Sequence, residues 1–408
     1  MILDIINKKR LGKSLTYKEL DEAFNGYLSG EVTDYQMSAL LMAICINDMS
    51  DEEVFALTKI FIDSGDVLDF SDLPGIKVDK HSTGGIGDKT TLVIVPIVAA
   101  CGGTVIKMSG RGLGYTGGTI DKLESIPGYK IDLTDEEIEK QVRDIGFVVT
   151  GQTADLVPMD KAVYALRDVT STVSSIPLIA SSIMSKKIAG GADKILIDIK
   201  VGNGALLTNK EDAHKLSRLM KEIGKFYNKE VRTIISDMNT PLGKCIGNAL
   251  EVQEAMDVLS GKEKESNFYN LCVELASDMV SMSLEIDIDK AKEMVEKSLN
   301  DKSAYNKFLE LVKYQKGNIN AMKISDKIYK LKSNTDGTIS KINALGIGKL
   351  SFNLGAAKAN IDDKIDYSVG VKLNKFIGDK VKKGDILAYI YYNKKLPEIK
   401  IDDIYKFE

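Results

Sequence analysis

The chain has 408 residues, 55 of them basic and 59 acidic, for a formal charge of −4. That length exceeds what one hydrophobic core usually serves and points to two or three lobes, with clefts suited to small ligands. So even a balance, with no five-residue block of like charge, excludes a polyanion such as nucleic acid as the natural partner.

Residues 1–65 read as three helices. Thr16 with Glu19 and Ser50 with Glu53 have capping-box spacing, and "DYQMSALLMAICI" supplies a broad apolar face between them. The opening "MILDIINKKR" lacks a basic start, a long apolar core and a small-residue cleavage site, and no 18-residue apolar run follows. A soluble, cytoplasmic protein without membrane contact is expected. From about residue 66, apolar segments such as "GTVIKM", "KILIDIKV" and "VRTIISDM" alternate with helix-like stretches, as in an α/β lobe with a mostly parallel sheet. A helical block over 160–190 interrupts it, its two stretches joined at Pro177, which suits a first helical turn. From about 332, "TDGTISKINA" and "YSVGVKLNKFIGDKVKKGDILAYIYYN" show strand alternation broken by Gly-Asp turns. "GDKVKKGD" resembles the turn of biotinyl and lipoyl carriers but offers no clear modifiable lysine, so a packing or oligomer-contact role is expected. Cys45, Cys101, Cys245 and Cys272 lie far apart with no CxxC and read as buried free thiols of a reducing compartment.

The stretch "DKHSTGGIGDKTT", residues 79–91, concentrates the chemistry. Glycines let backbone N–H groups approach an anion, a following helix N-terminus adds a favourable dipole, and Asp88 is a plausible N-cap. Lys80, Ser82, Thr90 and Thr91 add a cation and hydroxyl donors for phosphate oxygens. This is no nucleotide P-loop, because Asp88 separates Gly87 from Lys89. "IKVDKHSTGGIGDKTTLVIVPIVAAC" fits strand, loop, helix, with the β-branched "TTLVIV" and the following Pro96 weighing against the helix. Gly112, Gly114 and Gly117 have GxGxxG spacing with Asp132 as a ribose acid, but "SGR" separates them from the strand, and two Ser/Thr/Lys-rich glycine loops converging on one phosphate is the better reading. His214 belongs to a charged amphipathic helix and reads as solvated. His81, inside the anion loop, can donate a proton near neutral pH.

"VDKHSTGGIGD", "KMSGRGLGYTGGTIDKLESIPG", "YALRDVTSTVSSIPLIASSIMSKKIAGGAD" and "ISDMNTPLGKCIGNALEV", in this order, resemble the pyrimidine-nucleoside phosphorylases, the group that includes thymidine phosphorylase. The resemblance implies an α/β fold with a discontinuous helical lobe (1–65 and 160–190), a phosphate-binding α/β lobe with a large mixed or parallel sheet (66–159 and 191–331) and a C-terminal α+β domain (332–408). It implies reversible phosphorolysis of uridine, thymidine and deoxyuridine to free base and pentose 1-phosphate by a homodimer, with inorganic phosphate as co-substrate and no organic cofactor. By the same resemblance Lys80, Ser82, Thr91, Lys107, Met108, Ser109 and Thr119 hold phosphate, and Leu113, Tyr164, Arg167, Ser182 and Lys186 the nucleoside. Breaking the glycosidic bond leaves negative charge on the departing base, which suits donors such as Arg167, Lys186 and His81 as the catalytic groups, and the lobes are expected to close to bring phosphate to the sugar.

Family members also bind a structural potassium ion through backbone carbonyls and one carboxylate, and the matching positions are Gly87, Lys89, Leu242, Cys245 and Glu254. Tyr115 and Leu206 depart from the usual histidine and phenylalanine, and activity is expected to persist. Lys107 is expected either to donate to a ribose 2′-hydroxyl or to add positive field for phosphate. Two alternatives remain, a phosphoribosyltransferase of the same fold and a non-catalytic nucleoside- or phosphate-binding protein. The first needs acidic Mg²⁺ ligands, and "IDIKVGNGA" offers Asp198 without an adjacent acidic partner.

Overall fold

The computed structural model describes all residues except 113, 116, 154 and 359–362. In chain order the elements are α1 (Ile2–Arg10), α2 (Tyr17–Ser29), α3 (Asp34–Asn47), α4 (Asp51–Asp63), β1 (Lys77–Ser82), α5 (Thr90–Ala100), β2 (Thr104–Ser109), α6 (Thr119–Glu124), α7 (Asp135–Ile145) and β3 (Phe147–Gly151). There follow α8 (Pro158–Val169), α9 (Ile176–Ala189), β4 (Lys194–Val201), α10 (Lys210–Phe226), β5 (Glu230–Asp237), β6 (Cys245–Ile246), α11 (Asn248–Leu259), α12 (Asn267–Leu284), α13 (Ile288–Asn300) and α14 (Ser303–Tyr314). The chain ends in β7 (Ile328–Lys332), β8 (Gly337–Ile342), α15 (Ala344–Ser351), β9 (Gly370–Leu373), β10 (Lys380–Val381), β11 (Ile386–Tyr391) and β12 (Tyr405–Phe407).

Two compact units result. The helical unit comprises residues 1–72, 153–197 and 209–233, and the α/β unit comprises 73–152, 198–208 and 234–408. In the helical unit both expected capping boxes form, at Thr16 with Glu19 and at Ser50 with Glu53. Glu53 also accepts the buried Lys9 ammonium at 2.8 Å, which ties α1 to α4. Four helices stand where three were expected before residue 65, because short α1 starts at Ile2 after Met1, whose side chain cannot cap it and so does not announce it. Phe24 and Phe61 meet edge to face at 5.7 Å in the core, and Pro177 sits in the first turn of α9 as expected. Residues 209–233, expected with the α/β lobe, belong here through α10, which packs on α4 and α9 and carries His214 exposed.

The principal sheet has the order β3-β2-β1-β4-β5, with β1–β2 and β2–β3 parallel. α5 follows β1 directly, and every residue from Thr90 to Ala99 is buried, Pro96 included. Burial on all sides against α11, α12 and α14 overrides the β-branched propensity and the backbone hydrogen bond that Pro96 cannot donate. The C-terminal strands form two antiparallel arrays, β6-β9-β11-β7 and β10-β8-β12, within the α/β unit. Cys245 and Cys272 are buried free thiols, whereas Cys45 and Cys101 are only half-buried. Among the described residues no helix is long and apolar enough to cross a membrane.

Candidate active site

Strands β1 and β2 carry Lys80, Ser82, Lys107, Met108 and Ser109 of the expected phosphate residues towards their carboxyl ends, where parallel α/β sheets bind ligands. Lys77 pairs with Thr104, and the same offset brings Ser82 level with Ser109. After Ser82 the chain turns through Gly84 and Gly87, both at positive φ (89° and 79°), conformations that favour glycine. A Cβ on Gly87 would stand 2.7 Å from the Leu242 carbonyl oxygen, so that position also demands the missing side chain. Asp88 Oδ1 accepts from Thr90 N at 3.2 Å and Thr90 Oγ1 at 2.7 Å, so it braces the first turn of α5 although Lys89 holds the N-cap position.

Lys80, buried, donates to Thr90 Oγ1 at 2.6 Å and lies 3.7 Å from Asp198 Oδ2. Asp198 also accepts from Lys200 at 2.5 Å and from Ser236 at 2.6 Å. Burial alone would push the Asp88 carboxyl up, but Lys80 and Lys200 hold it well below the usual carboxylate range. Lys107 Nζ donates to the Met108 carbonyl at 3.1 Å, lies 3.6 Å from Asp79 and is buried. Ser109 Oγ is buried without a hydrogen-bond partner, an arrangement that leaves a hydroxyl ready for an incoming oxygen. Thr91 is buried in the first turn of α5, and Thr119 opens α6. His81 is half-buried beside Ser82. Asp121 Oδ2 gathers the second glycine loop by accepting from Gly112 N at 2.6 Å and Gly118 N at 3.0 Å. Tyr115 rests edge-on against Phe352 at 5.2 Å, and Leu113 lies outside the described residues.

The positions expected around potassium do come together, yet around a side chain. Lys89 Nζ donates to Leu242 O at 2.7 Å and Cys245 O at 2.8 Å and pairs with Glu254 Oε2 at 2.8 Å, with no solvent exposure. It also lies 4.9 Å from the Phe268 ring centre. Burial alone would push this ammonium down, but Glu254 and Glu251 hold it above the ordinary lysine value. These oxygens are therefore already taken by the ammonium, and the set as it stands does not fit a potassium ion as well. Lys89, expected to lend only a backbone carbonyl, fills the place with its own charge.

Of the residues expected to hold the nucleoside, Tyr164, Arg167, Ser182 and Lys186 all lie in the helical unit. Lys186 on α9 donates to Ser182 Oγ at 2.9 Å and to Asp160 Oδ2 at 2.5 Å, four residues being one helical turn. Tyr164 on α8 lies under both cations, 5.8 Å from Lys186 Nζ and 5.4 Å from the Arg167 guanidinium carbon. Burial pushes the Arg167 guanidinium down and the Tyr164 hydroxyl up from their ordinary values. Arg167 is buried and gives three N–H groups to the carbonyls of Thr172, Val173 and Leu178, bracing the α8–α9 turn and leaving two of its five donors. Sequence reasoning missed Asp160, although its place four residues before Tyr164 puts it on the same helix face; its Oδ1 is buried and unpartnered. It also missed Lys200, which pairs with Asp198 two residues back on β4, while the adjacency of β1 and β4 brings Lys80 to the same carboxylate.

Residues 3–65 match the helical bundle domain of a glycosyl transferase family, 75–305 its a/b domain, and 338–406 the pyrimidine nucleoside phosphorylase C-terminal domain. Pyrimidine-nucleoside phosphorylases of Staphylococcus haemolyticus and Geobacillus stearothermophilus are each 47% identical over 99% of this chain and 94% of their own length. The chain belongs to the pyrimidine-nucleoside phosphorylase family. The Bacillus subtilis member is likewise 47% identical over 99% of this chain and 95% of its own length. Among solved structures, anthranilate phosphoribosyltransferase from Thermus thermophilus superimposes with a TM-score of 0.60 over 76% of this chain and 99% of that one. At 16% identity that likeness speaks for the fold alone.

Proposed function

We infer that this chain catalyses reversible phosphorolysis of pyrimidine nucleosides. A phosphate oxygen attacks the anomeric carbon and forms the C–O bond of a pentose 1-phosphate, while the glycosidic C–N bond breaks and its electron pair leaves on the base. In the α/β unit Lys80, Ser82, Thr91, Ser109 and Thr119 would hold phosphate, with Lys107 and Met108 flanking it. In the helical unit Lys186, Ser182 and the free donors of Arg167 would bind the base oxygens and stabilise the charge developing there, and His81 would supply a proton. The observation that carries the reading is the buried, unpartnered Ser109 hydroxyl at the end of β2, level with Ser82.

Phosphate-dependent release of uracil and thymine without added Mg²⁺ is the expected result. An absolute requirement for Mg²⁺ and phosphoribosyl pyrophosphate would assign the chain to the transferase reading instead. Binding of nucleoside and phosphate with no turnover would make it a binding protein. Homodimerisation, supported by the family resemblance, is checked by sedimentation, and cytoplasmic residence, supported by four unpaired cysteines, by fractionation.

A further inference from the structure

We propose that Lys89 is a built-in monovalent cation, and that this protein holds its glycine loop without binding potassium. An ammonium has three N–H donors, and Lys89 Nζ has three oxygens within 2.8 Å, from Leu242, Cys245 and Glu254. These are two backbone carbonyls and one carboxylate, the donor type that strips a potassium ion of its water. The Glu254 carboxylate is itself fixed, accepting from Lys244 N at 2.8 Å and Cys245 N at 2.9 Å. Its negative charge therefore already has a fully buried positive partner. A free cation entering here would have to share these oxygens with a like charge, and Gly87 already stands against the same wall, its would-be Cβ 3.5 Å from Lys89 Nζ.

The tether places the charge where it steadies the anion loop. Lys89 precedes α5 by one residue and Thr91 by two, and Asp88 braces Thr90 from the other side. Together with the Leu242 N–H donated to Ile86 O at 3.0 Å, the ammonium clamps residues 86–89 to the 242–245 turn and to Glu254 on α11. A diffusible ion would give this clamp only at sufficient concentration, whereas a side chain gives it always.

Wild-type protein dialysed into choline chloride is titrated with KCl at constant ionic strength, and bound ⁸⁶Rb⁺ is measured by equilibrium dialysis. Melting temperature and phosphate KM are expected to stay unchanged, and no stoichiometric Rb⁺ to bind. Lys89→Thr should melt lower and show a raised phosphate KM in choline, with both recovering on addition of K⁺ or NH₄⁺. One Rb⁺ bound per wild-type chain, or a saturable rise of its melting temperature with K⁺, would overturn the proposal, as would a Lys89→Thr protein whose response to K⁺ matches wild type. Should Lys89→Thr fail to fold, the wild-type dialysis decides alone. The KM readout rests on the proposed phosphorolysis, but melting and Rb⁺ binding do not, so failure of one reading is separable from failure of the other.

Discussion

Lys186→Ala removes an ammonium that serves two masters, and the structure separates them. In the helical unit Lys186 neutralises Asp160 through Oδ2; the Asp160 side chain is 4% exposed and its Oδ1 has no hydrogen-bond partner. Stripping a buried carboxylate of its partner costs about 3–5 kcal/mol of stability. During the reaction the same ammonium is expected to stabilise the departing base, a contribution of about 2.7–4 kcal/mol, or a loss of about 10²–10³ in kcat if it resembles an oxyanion donor. Asp160→Asn introduced alongside Lys186→Ala removes the orphaned charge. The double variant should therefore regain most of the lost melting temperature, measured by calorimetry, while kcat for thymidine stays depressed. If the double variant recovers kcat to within about twofold of wild type, the single variant was merely destabilised, and Lys186 has no part in leaving-group stabilisation.

Ser109→Ala should raise the phosphate KM by about tenfold or more with little change in nucleoside KM, as loss of one hydrogen bond to a charged ligand predicts; an equal change in both would move Ser109 out of the phosphate half. Glu19 is held at about 2 by the Lys8 ammonium and the Thr16 backbone N–H. A depressed carboxyl stabilises the fold above its unfolded value, so Glu19→Gln should lower the melting temperature at pH 7, and the gap should close as pH falls from about 4 towards 2. A gap unchanged across that range would refute the pairing. Steady-state kinetics of wild type should show uridine and thymidine cleaved and cytidine poor. Lys107→Met should affect uridine more than deoxyuridine if Lys107 reaches the 2′-hydroxyl, and both equally if its buried place beside Asp79 serves only the phosphate field.

What the sequence made legible were local rules and whole motifs. The pairs Thr16–Glu19 and Ser50–Glu53 announce helix starts because a capping box is closed within four residues. The two glycine loops were legible as Ser-, Thr- and Lys-rich turns following strands, whereas the choice of particular residues for phosphate rests on the family resemblance. α5 was obscured because its helicity comes from complete burial, which "TTLVIVP" cannot report. The Lys89 clamp was obscured for a different reason: the family resemblance groups residue 89 with 242, 245 and 254 but does not say whether the backbone or the side chain faces the oxygens. Asp160 was visible in its helical phase with Tyr164, yet its purpose depends on Lys186, twenty-six residues on, in a different helix.

The chain passes from one unit to the other at 72–73, 152–153, 197–198, 208–209 and 233–234. During synthesis the first four helices therefore emerge long before the helices that complete their unit, and the face of α4 that packs on α9 and α10 stays uncovered until those helices have left the ribosome. The α/β unit waits longer, since β8 is not paired on both edges until β12 (Tyr405–Phe407) has been made. A nascent chain cut off anywhere before residue 233 contains neither unit whole. Such a chain exposes apolar helix faces that a protease or chaperone can read, so quality control can recognise an unfinished molecule before any substrate does.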